Sequence, residues 1–200
     1  MPRGLRALRG SPFRPSTDAI VLWVFAYGSL MFRPEFPVET RVVAGIQGFE
    51  RRFYQGSTDH RGVPEAPGRV VTLVPREGAT TWGVALGVAA EHEARVLAQL
   101  DHRERGGYSR MLLPLVDRAG IDLGEDALVY VGLPGNPDWL GAADIKSMAM
   151  QIRNARGPSG ANADYLFALA GELRRQGLAD DHVQALEDAV LGLGHPNSLK

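Results

Sequence analysis

The sequence contains no cysteine among its 200 residues. This absence excludes disulfide bonds, thiolate metal sites and a cysteine nucleophile, and it is compatible with the reducing cytoplasm, where we expect the protein to reside. Charge of one sign is not in excess either, because 22 Lys and Arg stand against 23 Asp and Glu. The chain therefore has no bulk attraction to a phosphate backbone, and we expect no nucleic-acid partner. No apolar run is long enough to suggest a membrane partner.

The motifs of several common enzyme classes are missing as well. The sequence has no Walker pattern ending in Gly-Lys-Ser/Thr, no Gly-x-Gly-x-x-Gly after a strand and no Gly-x-Ser-x-Gly. Nucleotide binding and α/β-hydrolase chemistry thereby lose their usual sequence support. The five histidines include no His-x-x-x-His pair, so we expect no metal site.

Residues 1–20 differ in composition from the rest of the chain. They contain four arginines before the first acid, Asp18, and three prolines that break any helix. They lack the apolar core of about seven or more residues that a secretory signal needs. We therefore predict a flexible basic arm over residues 1–20, with an Arg-rich transit peptide as the alternative, and a single domain over residues 21–200.

Beyond residue 20, short β-branched or aromatic runs bounded by Gly and Pro come first, and helical periodicity dominates later. Strands are predicted over 23–27, 41–49, 51–56, 69–76, 81–89, 108–118 and 126–133. Helices are predicted over 89–105, 142–156, 161–178 and 180–194. This order predicts an α+β fold, with a small mixed β-barrel or strongly bent sheet and flanking helices.

Two stretches carry residues that are unusual for purely structural segments. In "AYGSL" an apolar strand ends abruptly at Gly28 and Ser29, where backbone N–H groups and a hydroxyl come together. A tight turn explains the same residues without any function. In "LDHRERGGYSR" the charged residues crowd the end of the helix predicted over 89–105, whose apolar face we assign to Ala94, Leu97, Ala98 and Leu100.

Glu104 is the residue of this second stretch that could act as a catalytic base. It immediately precedes the turn at Gly106 and Gly107, which can carry its carboxyl group into the mouth of a barrel. A buried glutamate acquires a raised pKa and becomes a better base. For Glu104 to serve as a base, Arg103 and Arg105 must point away, because their charges would lower that pKa again. A solvated charged helix end is the alternative.

Five blocks of the sequence resemble the ChaC-like, glutathione-specific γ-glutamylcyclotransferases. They occur in the order of that family and span roughly residues 22–175: "WVFAYGSLMFRPEF", "RRFYQGSTDHRGVPEAPGRVVTL", "LDHRERGGY", "NPDWLG" and "GPSGANADYLFALA". The resemblance implies a cofactor-free lyase that splits glutathione into 5-oxoproline and cysteinylglycine. It also implies a mixed β-barrel with flanking helices, and it leaves the oligomeric state open.

The resemblance also assigns roles to particular residues. Glu104 is implied as the proton acceptor. The γ-glutamyl-binding segment is implied to be Val24, Phe25, Ala26, Tyr27, Gly28 and Ser29. One departure is Ala26, since the ChaC branch usually has Gly there, although the wider class accepts Ala.

Further residues are candidates for weaker roles. Arg51, Arg52 and Arg69 can pair with glutathione's carboxylates, although arginines on strands are often structural. Tyr108 follows the Gly-Gly turn and can either face the substrate or pack in the core.

Near the third predicted helix, Asn162 is expected to cap the N-terminus and Tyr165 to lie on the apolar face. Ser29 as a nucleophile lacks an obvious histidine partner.

Three alternatives to a glutathione cyclotransferase remain at the level of sequence. The first is a cyclotransferase that acts on other γ-glutamyl amino acids or amines. The second is a serine-dependent enzyme that hydrolyses γ-glutamyl compounds and releases free glutamate. The third is a non-catalytic regulatory module of the same fold, which the presence of Glu104 disfavours.

Overall fold

The computed structural model describes residues 20–193. The predicted arm over residues 1–20 thus lies outside the described residues, apart from Ile20, and it stays a prediction. The elements in chain order are β1 (Ile20–Ala26), a 3-10 turn (Ser29–Met31), β2 (Thr40–Ser57), β3 (Gly68–Ala89), α1 (Ala90–Arg103), β4 (Tyr108–Val116), β5 (Asp122–Gly132), α2 (Ile145–Asn154), β6 (Arg156–Gly157), β7 (Gly160–Ala161), α3 (Asn162–Arg175) and α4 (Asp181–Gly192).

The five long strands close into a barrel in the order β1-β3-β2-β4-β5. All neighbouring pairs are antiparallel except β1 and β5, which pair in parallel through Trp23 opposite Ala127 and Val24 opposite Leu128. The barrel closes through its weakest seam, where β2 and β4 pair only at Gly45 opposite Val116. The predicted mixed barrel with flanking helices is confirmed.

Strands β2 and β3 are longer than the sequence predicts. Each replaces two predicted strands, and the two remain paired from Thr40 opposite Gly87 to Ser57 opposite Gly68. The register shifts between Gln47 and Phe49, where Gly48 has φ 81°. A positive φ bends the strand without ending it, because glycine adopts that conformation at no steric cost. The predicted breaks are therefore bends within continuous strands.

Helices α2, α3 and α4 pack against one another and against the barrel. Asp144 caps α2 by accepting a hydrogen bond from the Ser147 N–H at 2.9 Å. Asp180 caps α4 in the same way through Val183, at 3.0 Å. The buried apolar side chains of barrel and helices form one hydrophobic cluster.

Helix α1 follows β3 directly and presents the predicted face only in part, because Leu100 is buried and Leu97 packs against the core as expected. Val96 and Leu100 are buried, whereas Ala94 and Ala98 are exposed. The larger apolar side chains face the core because they remove more apolar surface from water. Regular helix ends at Arg103, and Glu104 occupies the C-cap position with its N–H donating to the Leu100 carbonyl at 2.8 Å.

Candidate active site

A cavity of about 360 Å³ opens where β1, β2 and β5 end and β3 and β4 begin. These ends meet because β1 and β5 run in parallel and their neighbours run antiparallel. The end of α1 and the first turns of α3 complete the wall. Both stretches singled out in the sequence reach this one cavity.

The end of β1 and the turn after it form one wall of the cavity. Phe25, Tyr27, Gly28 and Ser29 line it, whereas Val24 and Ala26 are buried in β1 and do not. This division follows from the alternation of side chains along a strand.

Gly28 is needed at this wall for reasons of space. A Cβ atom there would lie 2.9 Å from Val71 Cγ2 and 3.1 Å from the Tyr165 hydroxyl. The φ of Gly28 is -129°, outside the left-handed region. The close approach of Val71 and Tyr165 leaves no room for a side chain.

Arg51 holds this wall from behind. Its Nε donates to the Tyr27 carbonyl at 2.7 Å, and its terminal nitrogens reach the Trp82 carbonyl and the Asp180 carboxylate, both at 2.5 Å. Arg51 is almost fully buried and does not line the cavity. Its expected role as a carboxylate ligand of the substrate is therefore wrong, since each of its three nitrogens already donates within the protein and the side chain does not reach the cavity.

The other two strand arginines are also structural. Arg69 donates to the carbonyls of Phe53 and Gly141, both at 2.9 Å. Arg52 forms an ion pair with Glu50. Neither arginine lines the cavity.

Glu104 lines the opposite wall, and its side chain is 16% exposed. Burial raises the pKa of this carboxyl group, and the Asp59 carboxylate raises it further, whereas Arg103 opposes the rise. Arg105 is exposed, as the mechanism requires. Arg103 is not turned away, because its Nε lies 3.3 Å from Glu104 Oε1. Burial outweighs that ion pair, so the pKa of Glu104 is still raised.

Arg103 connects the two walls. One terminal nitrogen donates to Ser29 Oγ at 2.8 Å, and the other lies 3.2 Å from Glu35 Oε2. Ser29 thus accepts a hydrogen bond from an arginine, and no histidine bond to it is found within residues 20–193. The arrangement fits Ser29 as a binding or positioning group better than as a nucleophile.

The turn after Glu104 is fixed by a buried amide. Gln55 is fully buried on β2 and donates through Nε2 to the Gly106 carbonyl and to Asn136 Oδ1, both at 3.0 Å. Gly107 has φ 90°, and a Cβ atom there would lie 2.5 Å from Asn136 Oδ1. This packing sets the direction in which the chain leaves Glu104.

Three tyrosines complete the inner surface. Tyr27 donates to the Tyr130 carbonyl at 2.6 Å and Tyr108 to the Val71 carbonyl at 2.9 Å. Burial raises the pKa of Tyr165 to about 12, and it raises those of Tyr27 and Tyr108 well above their ordinary value. All three hydroxyls therefore remain protonated at neutral pH.

Asn162 has a different role from the predicted one. The N-cap residue of α3 is Ala161, without a side-chain hydrogen bond. Asn162 instead clamps β3, since its Oδ1 accepts from the Arg69 N–H at 2.7 Å and its Nδ2 donates to the Arg69 carbonyl at 2.8 Å. The contact fixes α3, and with it Tyr165, against the barrel.

Several cavity residues escaped the sequence reasoning. They are Arg33, Glu35, Asp59, His60, Arg61, Arg103, Asp138 and Ser159. The density of polar residues in "GSTDHRG" was an available signal for the group between Asp59 and Arg61, but a polar loop has the same composition.

Within residues 20–193, no cluster of three His, Cys, Asp or Glu side chains is placed to hold a metal ion. In the same part of the chain, no helix combines the length and apolar character needed to cross a membrane.

Comparison with known proteins gives consistent similarities. The family model described as "ChaC-like protein" matches residues 22–192. A human protein named glutathione-specific gamma-glutamylcyclotransferase 1 is 41% identical, over 88% of this chain and 82% of its own length. A Schizosaccharomyces pombe glutathione-specific gamma-glutamylcyclotransferase is 37% identical, over 84% and 92%. The crystal structure of a yeast γ-glutamyl cyclotransferase specific to glutathione has a TM-score of 0.80 at 29% identity and covers 87% of this chain and 97% of that one.

Proposed function

Because the chain belongs to the ChaC-like protein family, we propose that it is a γ-glutamylcyclotransferase that converts glutathione into 5-oxoproline and cysteinylglycine. One observation supports this proposal most strongly. A mostly buried carboxyl group, Glu104, shares a cavity with the glycine turn at Gly28, and Arg103 contacts both Glu104 and Ser29.

The reaction needs no external reactant. The α-amine nitrogen of the γ-glutamyl unit attacks the γ-amide carbonyl carbon and forms a five-membered ring. The bond from that carbon to the cysteinyl nitrogen then breaks, and one proton passes from the amine to the departing nitrogen. The protein must therefore fold the substrate, move this proton and stabilise the oxyanion.

Glu104 transfers the proton. A peptide α-ammonium group has a reference pKa of about 7.7–8.0, and the neighbouring free carboxylate raises the pKa of the γ-glutamyl ammonium above it, whereas an ordinary glutamate near 4.3 is a weak base for it. Burial raises the pKa of Glu104 and so reduces the difference between it and the pKa of the α-ammonium group. Once protonated, the same carboxyl group donates to the leaving nitrogen.

The turn at Gly28 and Ser29 binds the γ-glutamyl unit. The first N–H groups of the 3-10 turn have no acceptor within the turn, and they suit either the α-carboxylate or the developing oxyanion. Arg103 adds a positive charge beside them. The residues proposed for binding are Val24, Phe25, Ala26, Tyr27, Gly28 and Ser29, with Val24 and Ala26 acting by shaping the strand.

The cavity also contains a serine next to a histidine, which bears on the hydrolase alternative. His60 Nδ1 lies 3.1 Å from Ser159 Oγ, but Asp59 Oδ2 is 3.8 Å from the other ring nitrogen, and the His60 and Asp59 side chains are 58% and 69% exposed. An exposed, loosely joined set is a poor catalytic triad.

A cytoplasmic location and a single domain over residues 21–200 are part of the proposal. We propose the location because a chain without cysteine suits a reducing compartment.

The test is product analysis of the purified protein. Incubation with glutathione should give 5-oxoproline and cysteinylglycine in equal amounts by mass spectrometry, with slower turnover of γ-glutamyl-alanine. Release of free glutamate would identify a hydrolase, and equal kcat/KM for the two substrates would contradict glutathione preference. A folded wild-type protein that releases neither product would support the regulatory module.

A further inference from the structure

Beyond the reaction centre, the cavity extends along residues 57–61 and the β6–β7 hairpin. Asp59, His60, Arg61 and Ser159 line this part. None of them exchanges the proton in the reaction described above, although the Asp59 carboxylate contributes to the raised pKa of Glu104. We propose that Arg61 binds the glycyl carboxylate of glutathione and thereby selects the tripeptide over shorter γ-glutamyl compounds; this inference rests on the proposed function.

Arg61 differs from the other arginines of the cavity in its charge balance. Arg33 lies 2.7 Å from Glu35 Oε1, and Arg103 is shared between Glu35 and Glu104. Arg61 forms no ion pair with any carboxylate of residues 20–193, and its one side-chain hydrogen bond there goes to the Ala161 carbonyl at 3.1 Å. Its positive charge is therefore available to an anionic ligand, with several donors left.

The guanidinium group is nevertheless well positioned. Its central carbon lies 5.9 Å from the centre of the Tyr165 ring, within the range of a cation–π contact. The backbone N–H of Arg61 donates to Ser57 Oγ at 2.9 Å. Holding the side chain in advance reduces the entropy lost when a ligand binds.

The loop that carries Arg61 interlocks with the hairpin. The Ser159 N–H donates to the His60 carbonyl at 2.9 Å, and a Cβ atom at Gly157 would lie 2.3 Å from that same oxygen. The two backbones are thus in direct contact. This part of the wall is built to a fixed shape and is not a loose surface loop.

The charges of glutathione require a second cationic group. Its γ-glutamyl end carries an ammonium and a carboxylate, which Glu104 and the Gly28 turn with Arg103 can neutralise. Its glycyl carboxylate lies two residues beyond the reacting carbonyl, roughly 7 Å away in an extended chain. That carboxylate has no partner among the groups used for the reaction.

Tyr165 places Arg61 at a suitable range from the reaction centre. The Tyr165 hydroxyl lies 3.1 Å from the Cβ position of Gly28, and its ring faces the Arg61 guanidinium at 5.9 Å. Tyr165 is therefore close to both the γ-glutamyl turn and the Arg61 guanidinium group. A planar guanidinium group can bind a carboxylate through two parallel hydrogen bonds.

The test compares two substrates that differ only at this carboxylate: glutathione and its glycyl amide. Hydrogen bonds to charged groups contribute roughly 1.5–3 kcal/mol, so wild type should prefer glutathione by about 10- to 100-fold in kcat/KM. Arg61→Met should reduce this ratio to nearly one, mainly by raising KM for glutathione. Arg61→Lys should give an intermediate ratio, since it keeps the charge and loses the fork.

Arg95→Met is the matched control, because Arg95 is an exposed arginine of α1 outside the cavity and its substitution should leave the ratio unchanged. Equal loss on both substrates in Arg61→Met, or an unchanged ratio, would overturn the inference. If Arg61→Met does not fold, two other results would overturn the inference. One is a wild-type protein whose kcat/KM is nearly equal for glutathione and its glycyl amide. The other is an Arg61→Lys protein whose preference equals that of wild type. A wild type that forms no 5-oxoproline overturns the proposed function and this inference together, whereas an active wild type without preference overturns only the inference.

Discussion

The two walls of the cavity are held by different kinds of contact. The strand wall, Tyr27–Ser29 with Val71 and Tyr165, depends on close packing and on backbone hydrogen bonds from buried Arg51. The helix wall, Arg103 and Glu104, depends on an ion pair and on burial of a carboxyl group. Substitutions in the strand wall should therefore act through shape at every pH, whereas those in the helix wall should act through charge and change the pH dependence.

The largest effect is expected on the helix wall. Glu104→Gln keeps the size of the side chain but cannot accept the proton, so kcat should fall by about 10²–10⁴-fold. Initial rates of 5-oxoproline formation measure this loss. Glu91→Gln, at an exposed glutamate of the same helix, is the control and should be fully active. A folded Glu104→Gln enzyme within about threefold of wild type would mean that another group is the base.

The strand wall should respond next. Gly28→Ala places a methyl group 2.9 Å from the buried side chain of Val71, so the turn must move. A displacement near 1 Å costs about a hundredfold in rate. We expect this loss with unchanged circular dichroism and an unchanged shape of the pH–rate profile. Gly192→Ala is the control, since a Cβ atom there meets nothing within 4 Å. Full activity in Gly28→Ala would show that the turn at Gly28 has no role in catalysis.

A smaller effect, visible in the pH profile, is expected from Arg103→Met. Arg103 lowers the pKa of Glu104, so its removal should raise that pKa further. The base must be deprotonated, and the acidic limb of kcat/KM should therefore move to higher pH. Arg103→Lys retains a charge and should shift the limb less. An acidic limb that stays in place would show that the ion pair does not tune the base.

The smallest effect lies away from both walls and separates activity from stability. Burial lowers the pKa of His182 from 6.5 to about 4, and its Nε2 accepts the Phe53 N–H at 3.2 Å. The imidazole of His182 binds a proton more readily in the unfolded chain than in the folded one. The free energy of unfolding should therefore fall as the pH drops from about 6.5 towards 4. His182→Gln should flatten that dependence in denaturant titrations at pH 7 and pH 5, whereas exposed His102→Gln should not. A wild-type slope in His182→Gln would contradict the assignment.

The sequence predicted the fold better than the detailed packing. Strand and helix periodicity located most elements, because burial imposes it directly. It split β2 at Gly48 and β3 at Gly78, because a glycine signals a turn and a bend equally well. It also assigned the face of α1 only in part, since Leu100 is buried as expected but Val96 is buried in place of Ala98; apolar spacing alone does not fix the side that meets the barrel.

The site residues separate along the same line. Glu104 and Gly28 stand in contiguous motifs, and both line the cavity. Arg51 and Arg61 are the same residue type, yet Arg51 is buried behind a strand and Arg61 faces the cavity. Their difference arises from contacts with Asp180 and Tyr165, which are distant along the chain. Such partners are set by tertiary packing, which local sequence does not encode.

The parallel pairing of β1 with β5 has a consequence for how the chain folds. Val24 finds its partner Leu128 only after most of the polypeptide has been synthesised, and Tyr165 of α3 arrives later still. The first barrel strand gains this second neighbour only after the last barrel strand has been made, and contacts between residues so far apart in sequence slow the search for the native state. On a ribosome, the cavity would be among the last features to form. A ligand that binds there would select completely folded chains and stabilise all parts of the molecule at once.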